Sequence, residues 1–289
     1  MGKVDSKIAL VICTRNRAKR LDAFFEAIKR LRCDGPWDLV IVDNGSTDDT
    51  GERLKAFAAT FEKPVTIITE PRPGLGLARN RGWSATNAPV IAFTDDDCYP
   101  DPNFLNDVAA VFADPALGFA GGRILLHDPS DARITIYESQ TEELFSPGDF
   151  IFCGVIQGAN MAFRRQALMD IDGFDDKLGA GTPFSFEDGD AELRALAAGW
   201  KGKYDPRSVV YHHHGRKPGI DHETLIRVYE TARGAYFIKC ILFMPQRWRC
   251  LRNWLRLMKQ QPFGQTLREA RAALRYCFYQ FKQKPNVTY

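Results

Sequence analysis

The chain has 289 residues, enough for one large α/β domain with a smaller appendage, and its 45% hydrophobic content is that of a folded protein rather than a disordered one. Its seven cysteines (Cys13, Cys33, Cys98, Cys153, Cys240, Cys250 and Cys277) are odd in number, scattered and free of any CxxC pair. That excludes a disulfide framework and a zinc knuckle and predicts reduced thiols. The net charge of +3 conceals an asymmetry: beyond residue 220 there are thirteen Lys/Arg against four Asp/Glu, so the first 220 residues are net acidic.

The opening apolar run at 8–13 is shorter than a signal-peptide core and meets Arg15 and Arg17 at once, so it reads as a first strand. Further strands are expected at 39–42, 65–68 and 90–94, with helices at 18–31, 48–60, 77–86 and 102–113. This alternation predicts a doubly wound α/β layout. Strands so apolar need both faces covered, and ligands in such sheets sit beyond the carboxyl ends of the strands. The residues at those ends are polar and acidic: Thr14 to Arg17, Asp43 to Ser46, and Asp95, Asp96 and Asp97.

From 119 to about 214 the pattern loosens into short strands and glycine-bearing loops, of the kind that build acceptor sites. After residue 221 the chain turns helical, with Pro245, Pro262 and Gly264 dividing it into three helices. No uncharged apolar run reaches the roughly eighteen residues of a spanning helix; the best, 235–245, is broken by Lys239.

Three clusters carry chemistry. Asp95, Asp96 and Asp97 close a strand, so neighbouring carboxylates project differently and two can reach one Mg²⁺ or Mn²⁺ ion. A solvated turn or a cap for the helix near Pro102 is the structural alternative. Glu187, Asp188 and Asp190 open a helix behind a glycine-rich loop at 179–182. Capping explains one of these carboxylates, and a base that meets an incoming hydroxyl explains the cluster better. His212, His213 and His214 end a strand, with His212 and His214 on one face and His213 on the other, and point to a metal or diphosphate contact. Gly74 and Gly76 read as a tight loop before the helix that carries Arg79. Trp83 and Trp200 read as packing residues, and Asn160 and Arg164 either touch sugar or acceptor or hold their loop together.

The chain resembles the glycosyltransferases of family 2. The resemblance covers roughly residues 7–220 and rests on an ordered series: Val11-Ile-Cys-Thr-Arg-Asn16, Val42-Asp-Asn-Gly-Ser-Thr-Asp48, Gly74-Leu-Gly-Leu-Ala-Arg-Asn-Arg-Gly82, Asp95-Asp-Asp97, Gly158-Ala-Asn-Met-Ala-Phe-Arg164, Gly173-Phe-Asp175, Glu187-Asp-Gly-Asp190 and Arg194. It implies a GT-A fold, a Rossmann-like mixed sheet flanked by helices, over 1–220. The nucleotide-binding half would be about 1–118, the acceptor half about 119–220, and 221–289 a basic helical extension. It implies an inverting, metal-dependent transfer from a nucleotide diphosphate sugar to a hydroxyl of a saccharide or lipid-linked acceptor, in polysaccharide or glycolipid synthesis.

Carried over position by position, Asp43 and Asn44 would hold the nucleoside, with Thr14, Arg15 and Arg79 near base and diphosphate. Asp95 or Asp96 would meet ribose or phosphate. Asp97 would bind Mn²⁺ or Mg²⁺ with His212, or alternatively His214. Asp188 would be the catalytic base, with Asn160 and Glu187 toward the acceptor or sugar. Where many uridine-binding members carry a second aspartate, this chain has Asn44. Its carbonyl can accept the imide N–H of uracil or thymine, so a UDP-sugar is favoured and a dTDP-sugar remains open. Ala191 stands where a leucine is usual and reads as a packing change.

The basic extension interleaves arginines with apolar groups. At 247–258, Trp248, Leu251, Leu255 and Met258 share one helical face, an interfacial pattern expected to meet an anionic membrane surface over 222–284. Packing on the catalytic domain or on a second copy in a homo-oligomer is the alternative. Nucleic acid is not expected, because the crevice is acidic. The expected location is the cytoplasm, peripheral at the inner face of the membrane. Two other functions, a nucleotidyltransferase and a non-catalytic sugar-binding module, would share the sheet but leave Asp188 without a task.

Overall fold

The computed structural model describes residues 7–152 and 154–282. The first half follows the expected alternation. Strand β1 (Ile8–Thr14) leads to helix α1 (Leu21–Lys29), β2 (Trp37–Asp43) to α2 (Thr50–Thr60), and β3 (Val65–Thr69) to α3 (Leu75–Ser84). Then come β4 (Val90–Asp95), β5 (Cys98–Pro100) and α4 (Phe104–Val111). The second half contributes β6 (Leu117–Leu126), β7 (Glu143–Phe145), β8 (Met161–Arg164), α5 (Arg165–Asp170), α6 (Glu187–Ala197) and β9 (Lys201–His212). The chain ends in α7 (Ile220–Phe243), α8 (Arg247–Gln260) and α9 (Phe263–Lys282). Pro245 and Pro262 fall in the two turns between these last helices, whereas Gly264 lies inside α9.

One nine-stranded mixed sheet runs β3-β2-β1-β4-β8-β6-β9-β5, with β7 paired to β9. β1 to β4 are mutually parallel, and β8 is antiparallel to both its neighbours. Strand alternation sorts the apolar side chains onto two faces. Ile8, Leu10, Ile12, Leu39 and Ile41 join Phe24, Ile28, Leu54, Phe57 and Phe104 of α1, α2 and α4 on one side. Ala9, Val11, Val40, Val42, Ile91 and Phe93 join Ala78, Leu168, Ala191 and Ala195 of α3, α5 and α6 on the other. Ala191 is fully buried there, in keeping with a packing role. Helix α3 lies close to the sheet because Gly82 has no side chain: a Cβ there would collide with Val11 and stand 3.2 Å from Val42.

Register decides where chemistry can occur. Thr14 pairs with Asp43 across β1 and β2, and Cys13 with Asp95 across β1 and β4, so three strands deliver their polar ends to one edge. Helices α7 to α9 form a third layer. Tyr236, Phe237 and Cys240 of α7 pack with Leu193 of α6, Phe150, Phe186 and Trp254. Lys239 of α7, almost wholly buried, reaches Asp175 at 2.6 Å and Asp190 at 2.5 Å. The extension is thus anchored to the sheet domain by apolar contact and buried ion pairs.

Candidate active site

A cavity of about 890 Å³ opens at the carboxyl edge of β1 and β4. Its lining includes Thr14, Arg15, Asn44, Arg79, Asp95, Asp96, Asp97, Glu187, Asp188 and His212, residues spread over nearly two hundred positions. Its outer wall comes from elsewhere: Ile151, Phe152 and Gln157 from the loop before β8, and Leu225, Val228, Tyr229, Arg233 and Tyr236 from α7. A division of the chain at residue 220 therefore does not divide the site.

The aspartate triad is held by β1 and by the turn that follows it. Thr14 donates to Asp96 at 2.5 Å, and Arg17 reaches Asp96 at 3.1 Å and Asp97 at 2.9 Å. Burial pushes the Asp96 carboxyl up to about 7 against the pull of Arg17, and burial likewise raises Asp95 against Arg79. Asp97 goes the other way. Burial would raise it, but the hydrogen bond and charge of His212, with Arg17, bring it down to about 2.

His212 Nε2 stands 3.4 Å from Asp97 Oδ1, and its Nδ1 is 3.1 Å from the Thr135 hydroxyl. That hydroxyl donates to the Ile134 carbonyl, so its oxygen accepts from Nδ1–H. With Nδ1 donating to Thr135, Nε2 is the ring nitrogen that faces the Asp97 carboxylate oxygen, and a proton or a cation must lie between them. The spacing is close to the about 3 Å that separates adjacent ligands of an octahedral ion at roughly 2.0–2.2 Å. The Cys98 sulfur completes a convergent trio with Asp97 and His212. Burial raises this thiol well above its usual range, and a neutral thiol does not ligate hard cations. The residues present therefore fit Mn²⁺ or Mg²⁺ at Asp97 and His212.

His214 is not part of that set. Its Nδ1 accepts from the Arg216 backbone N–H at 3.0 Å, and its Nε2 meets the Ala132 carbonyl at 2.9 Å, so both nitrogens serve the backbone. Among the described residues a second group, Asp128, Asp131 and His213, could also converge on an ion. The Lys217 ammonium already fills it, 3.0 Å from Asp128 and 2.6 Å from Asp131.

Helix α6 presents the other acidic motif. Asp188 Oδ2 accepts from the Gly158 N–H and Oδ1 from the Gly189 N–H, each at 2.8 Å, which fixes the carboxylate in the cavity wall. Glu187 is paired with Arg79, and burial pushes its carboxyl up to about 7 despite that partner. Arg79 is itself buried, 3.5 Å from Asp95, so it ties the two acidic motifs together. The Arg79 guanidinium is thus engaged by carboxylates, whereas Arg15 is exposed on the same lining. Gly158 is what allows Arg79 in, because a Cβ there would overlap the guanidinium. Strain gathers here too: Thr135 (φ 56°) and Phe186 (φ 95°), both lining the cavity, are two of only four non-glycine residues with positive φ among those described.

Two expected site residues have side chains engaged in bonds within the fold. The Asn160 side chain donates to the Arg123 and Ser208 carbonyls and accepts from the Ser208 hydroxyl, which ties β8 to β6 and β9 beneath the cavity. Asp43 lies outside the cavity lining, where its Oδ1 accepts from the Ser46 N–H. Asn44 does line the cavity, but its NH₂ is spent on the Glu70 and Arg72 carbonyls and its oxygen accepts from Gly74. One lone pair remains for a ligand. Arg164 binds the carbonyls of Leu117, Phe112 and Asp114 and so holds the fold.

Sequence reading gave Arg17 no role beyond its place at a polar strand end, and it missed Glu192 and the α7 wall. A second arginine two residues past Arg15 was a signal for Arg17. One turn after Asp188 on the cavity side of α6, the position of Glu192 was a signal as well. Glu192 is wholly buried, lacks any hydrogen bond to Oε1, and is raised well above an ordinary carboxyl by burial and then by Asp188.

The description Glycosyl transferase family 2 matches residues 9–172, more than half of the chain. The chain belongs to that family. Among its relatives, the pre-mycofactocin glycosyltransferase of Mycobacterium tuberculosis is 26% identical over 245 residues, 82% of this chain and 47% of its own. The O-antigen chain rhamnosyltransferase WbaN of Salmonella anatum is 25% identical over 220 residues, 72% of this chain and 67% of its own. This chain thus spans about half the length of the first and two thirds of the second. Among solved structures, the mannosyltransferase PcManGT of Pyrobaculum calidifontis in complex with GDP-Man and Mn²⁺ matches with a TM-score of 0.58 at 20% identity, over 83% of this chain and 64% of that one. S. aureus TarS 1-349 in complex with UDP-GlcNAc matches at 0.55 and 18% identity, over 78% and 66%. Likeness at these identities establishes the fold, the GT-A arrangement of a mixed sheet between helices.

Proposed function

We propose that this family 2 chain is a metal-dependent, inverting glycosyltransferase that moves a sugar from a nucleotide diphosphate, UDP favoured and dTDP possible, to a hydroxyl of a saccharide or lipid-linked acceptor. One observation carries the reading: a single cavity joins the Asp97–His212 pair, 3.4 Å apart, to the Asp188 carboxylate held by two backbone N–H groups. The solved relatives carry GDP-Man with Mn²⁺ or UDP-GlcNAc, which supports a nucleotide-sugar donor here. A cytoplasmic site of action belongs to the same reading and rests on the odd, scattered cysteines.

In this reading Asp97 and His212 would hold the cation, and its chemistry would be that of a Lewis acid toward the leaving diphosphate. Arg15, exposed at the cavity, adds positive charge where the diphosphate departs. Asp96 is held by Thr14 and Arg17 and Asp95 by Arg79, so both are positioned to meet ribose or phosphate oxygens. Asp188 takes the proton of the acceptor hydroxyl as the new bond to the anomeric carbon forms on the face opposite the departing diphosphate. Each of its oxygens keeps a lone pair beyond the bonds to Gly158 and Gly189. Glu187 and Arg79 hold the loop and helix that carry this base.

Thermal unfolding of the purified chain with UDP, dTDP and GDP, each with and without Mn²⁺, tests the donor site. A ligand at a hundred times its dissociation constant adds about 2.7 kcal/mol, and the expected result is a shift with one nucleotide that needs the metal. No shift with any nucleotide in either condition sinks the proposal.

A further inference from the structure

Helix α9 turns Glu269, Ala272, Ala273 and Tyr276 inward. On its other side Phe263, Leu267, Leu274 and Phe278 are 80, 39, 62 and 68% exposed. At about 100° per residue these four fall within roughly 60° of one another, a continuous apolar stripe about four turns long. Helix α8 adds Trp248, 74% exposed, and Leu255, 49% exposed, while Cys250 and Trp254 take its inward side. The face read from the sequence on α8 is therefore only half outward, since Leu251 and Met258 are partly buried, and the longer exposed stripe lies on α9.

The charges around these stripes are of one sign. Arg247, Arg252, Arg256, Lys259 and Arg271 are exposed, with no acidic partner among the described residues. The sole carboxylate between residues 247 and 280, Glu269, is fully buried and bound by Arg233 and Trp254. Two copies meeting through this patch about a two-fold axis would set arginine against arginine with nothing to pair them. An anionic lipid surface neutralises the same groups, while the indole and phenyl rings enter the headgroup boundary. No helix among the described residues is long and apolar enough to cross a membrane, so the contact is along the surface.

We infer that α8 and α9 form a docking surface for an anionic lipid interface, through the Phe263–Leu267–Leu274–Phe278 stripe and the arginines beside it. The surface stands apart from the donor site and does not depend on the transfer chemistry. For a lipid-linked acceptor it would hold the enzyme on the surface that contains its substrate.

Co-sedimentation of the full chain with vesicles of phosphatidylcholine alone, and of phosphatidylcholine with phosphatidylglycerol, tests this. The chain is expected to bind the phosphatidylglycerol vesicles at least about tenfold more tightly and to lose that preference in high salt. The triple variant F263S/L274S/F278S, changed only at exposed positions, should keep its unfolding midpoint and lose binding. R252Q/R256Q/R271Q should lose about tenfold or more on the anionic vesicles. A chain left in the supernatant with both vesicle types overturns the inference. So does a concentration-dependent dimer, abolished by F263S/L274S/F278S, in a chain that ignores vesicles. The readout is binding, so a chain that fails as a transferase can still pass, and the reverse.

Discussion

The two walls of the cavity that the proposed function assigns to donor and acceptor are built by different means. On the donor side each functional group follows its own strand: Thr14 closes β1, Asn44 follows β2, and Asp95 closes β4. Parallel register brings these ends together with no further instruction. On the acceptor side the groups are made neighbours by tertiary contact. Asp188 is fixed by Gly158, thirty residues earlier, and the outer wall is lent by α7, a helix outside the sheet domain. Donor geometry should thus tolerate changes in the helical layer, whereas acceptor geometry should follow how α6 and α7 sit.

The largest expected effect is on the acceptor side. Asp188→Asn should lower kcat by about 10²- to 10⁴-fold while donor binding stays intact, read by steady-state kinetics beside nucleotide titration. If nucleotide binding falls equally, the two sides are not separable. Asp97→Asn is the donor-side counterpart. It should abolish the metal-dependent part of the nucleotide shift, about 2.7 kcal/mol under saturating conditions, and leave the unliganded chain folded.

Smaller effects sharpen the contrast between holding a ligand and holding the fold. Asn160→Ala should cost about 1–3 kcal/mol in urea unfolding because it orphans the Arg123 and Ser208 groups. Donor affinity should be unchanged; a selective loss of affinity would restore Asn160 to the ligand set. Gly158→Ala should cost about 1–3 kcal/mol, as its methyl displaces Arg79. It should also lower kcat, since Gly158 holds the base.

Glu192→Gln tests the buried acid. The Glu192 carboxyl titrates well above its usual 4.5 in the folded chain, through burial and then Asp188. Its contribution to stability is therefore fully present below 4.5 and is lost as pH rises toward the folded value. The glutamine variant should gain stability over the natural chain across that window and show no pH-dependent difference below it. A constant difference at every pH would remove Glu192 from the titrating groups of the cavity.

The two sides were also unequally legible in the sequence. Short continuous apolar runs ended by polar residues pointed to β1 to β4 and to the polar strand ends that line the cavity, because a buried parallel strand announces itself and its end faces the crevice. Asp43, at such a strand end, entered the ligand set through the family resemblance. A residue at the strand end can equally cap the following turn, as its bond to Ser46 shows. Among the three histidines, alternation separated His213 from the other two, and it had no means of separating His212 from His214. The tertiary partners differ: the Thr135 hydroxyl meets only Nδ1 of His212, whereas the Arg216 N–H and the Ala132 carbonyl take both ring nitrogens of His214. For Asn160 the sequence left a ligand contact and a structural tie both open, and the bonds to the Arg123 and Ser208 carbonyls form the tie, since the sequence does not reveal which carbonyls lie opposite.

By itself the sequence determined the layered sheet, the edge where chemistry occurs, the three acidic and histidine clusters, and the three-helix basic extension. Each of these follows from local periodicity or from charge counted along the chain. Tertiary structure alone decided that Arg79 binds Glu187 and Asp95, that α7 walls the cavity, and which apolar stripe of the extension stays outside. Those outcomes depend on which surfaces meet, and packing free energy is summed over contacts between segments far apart in the chain.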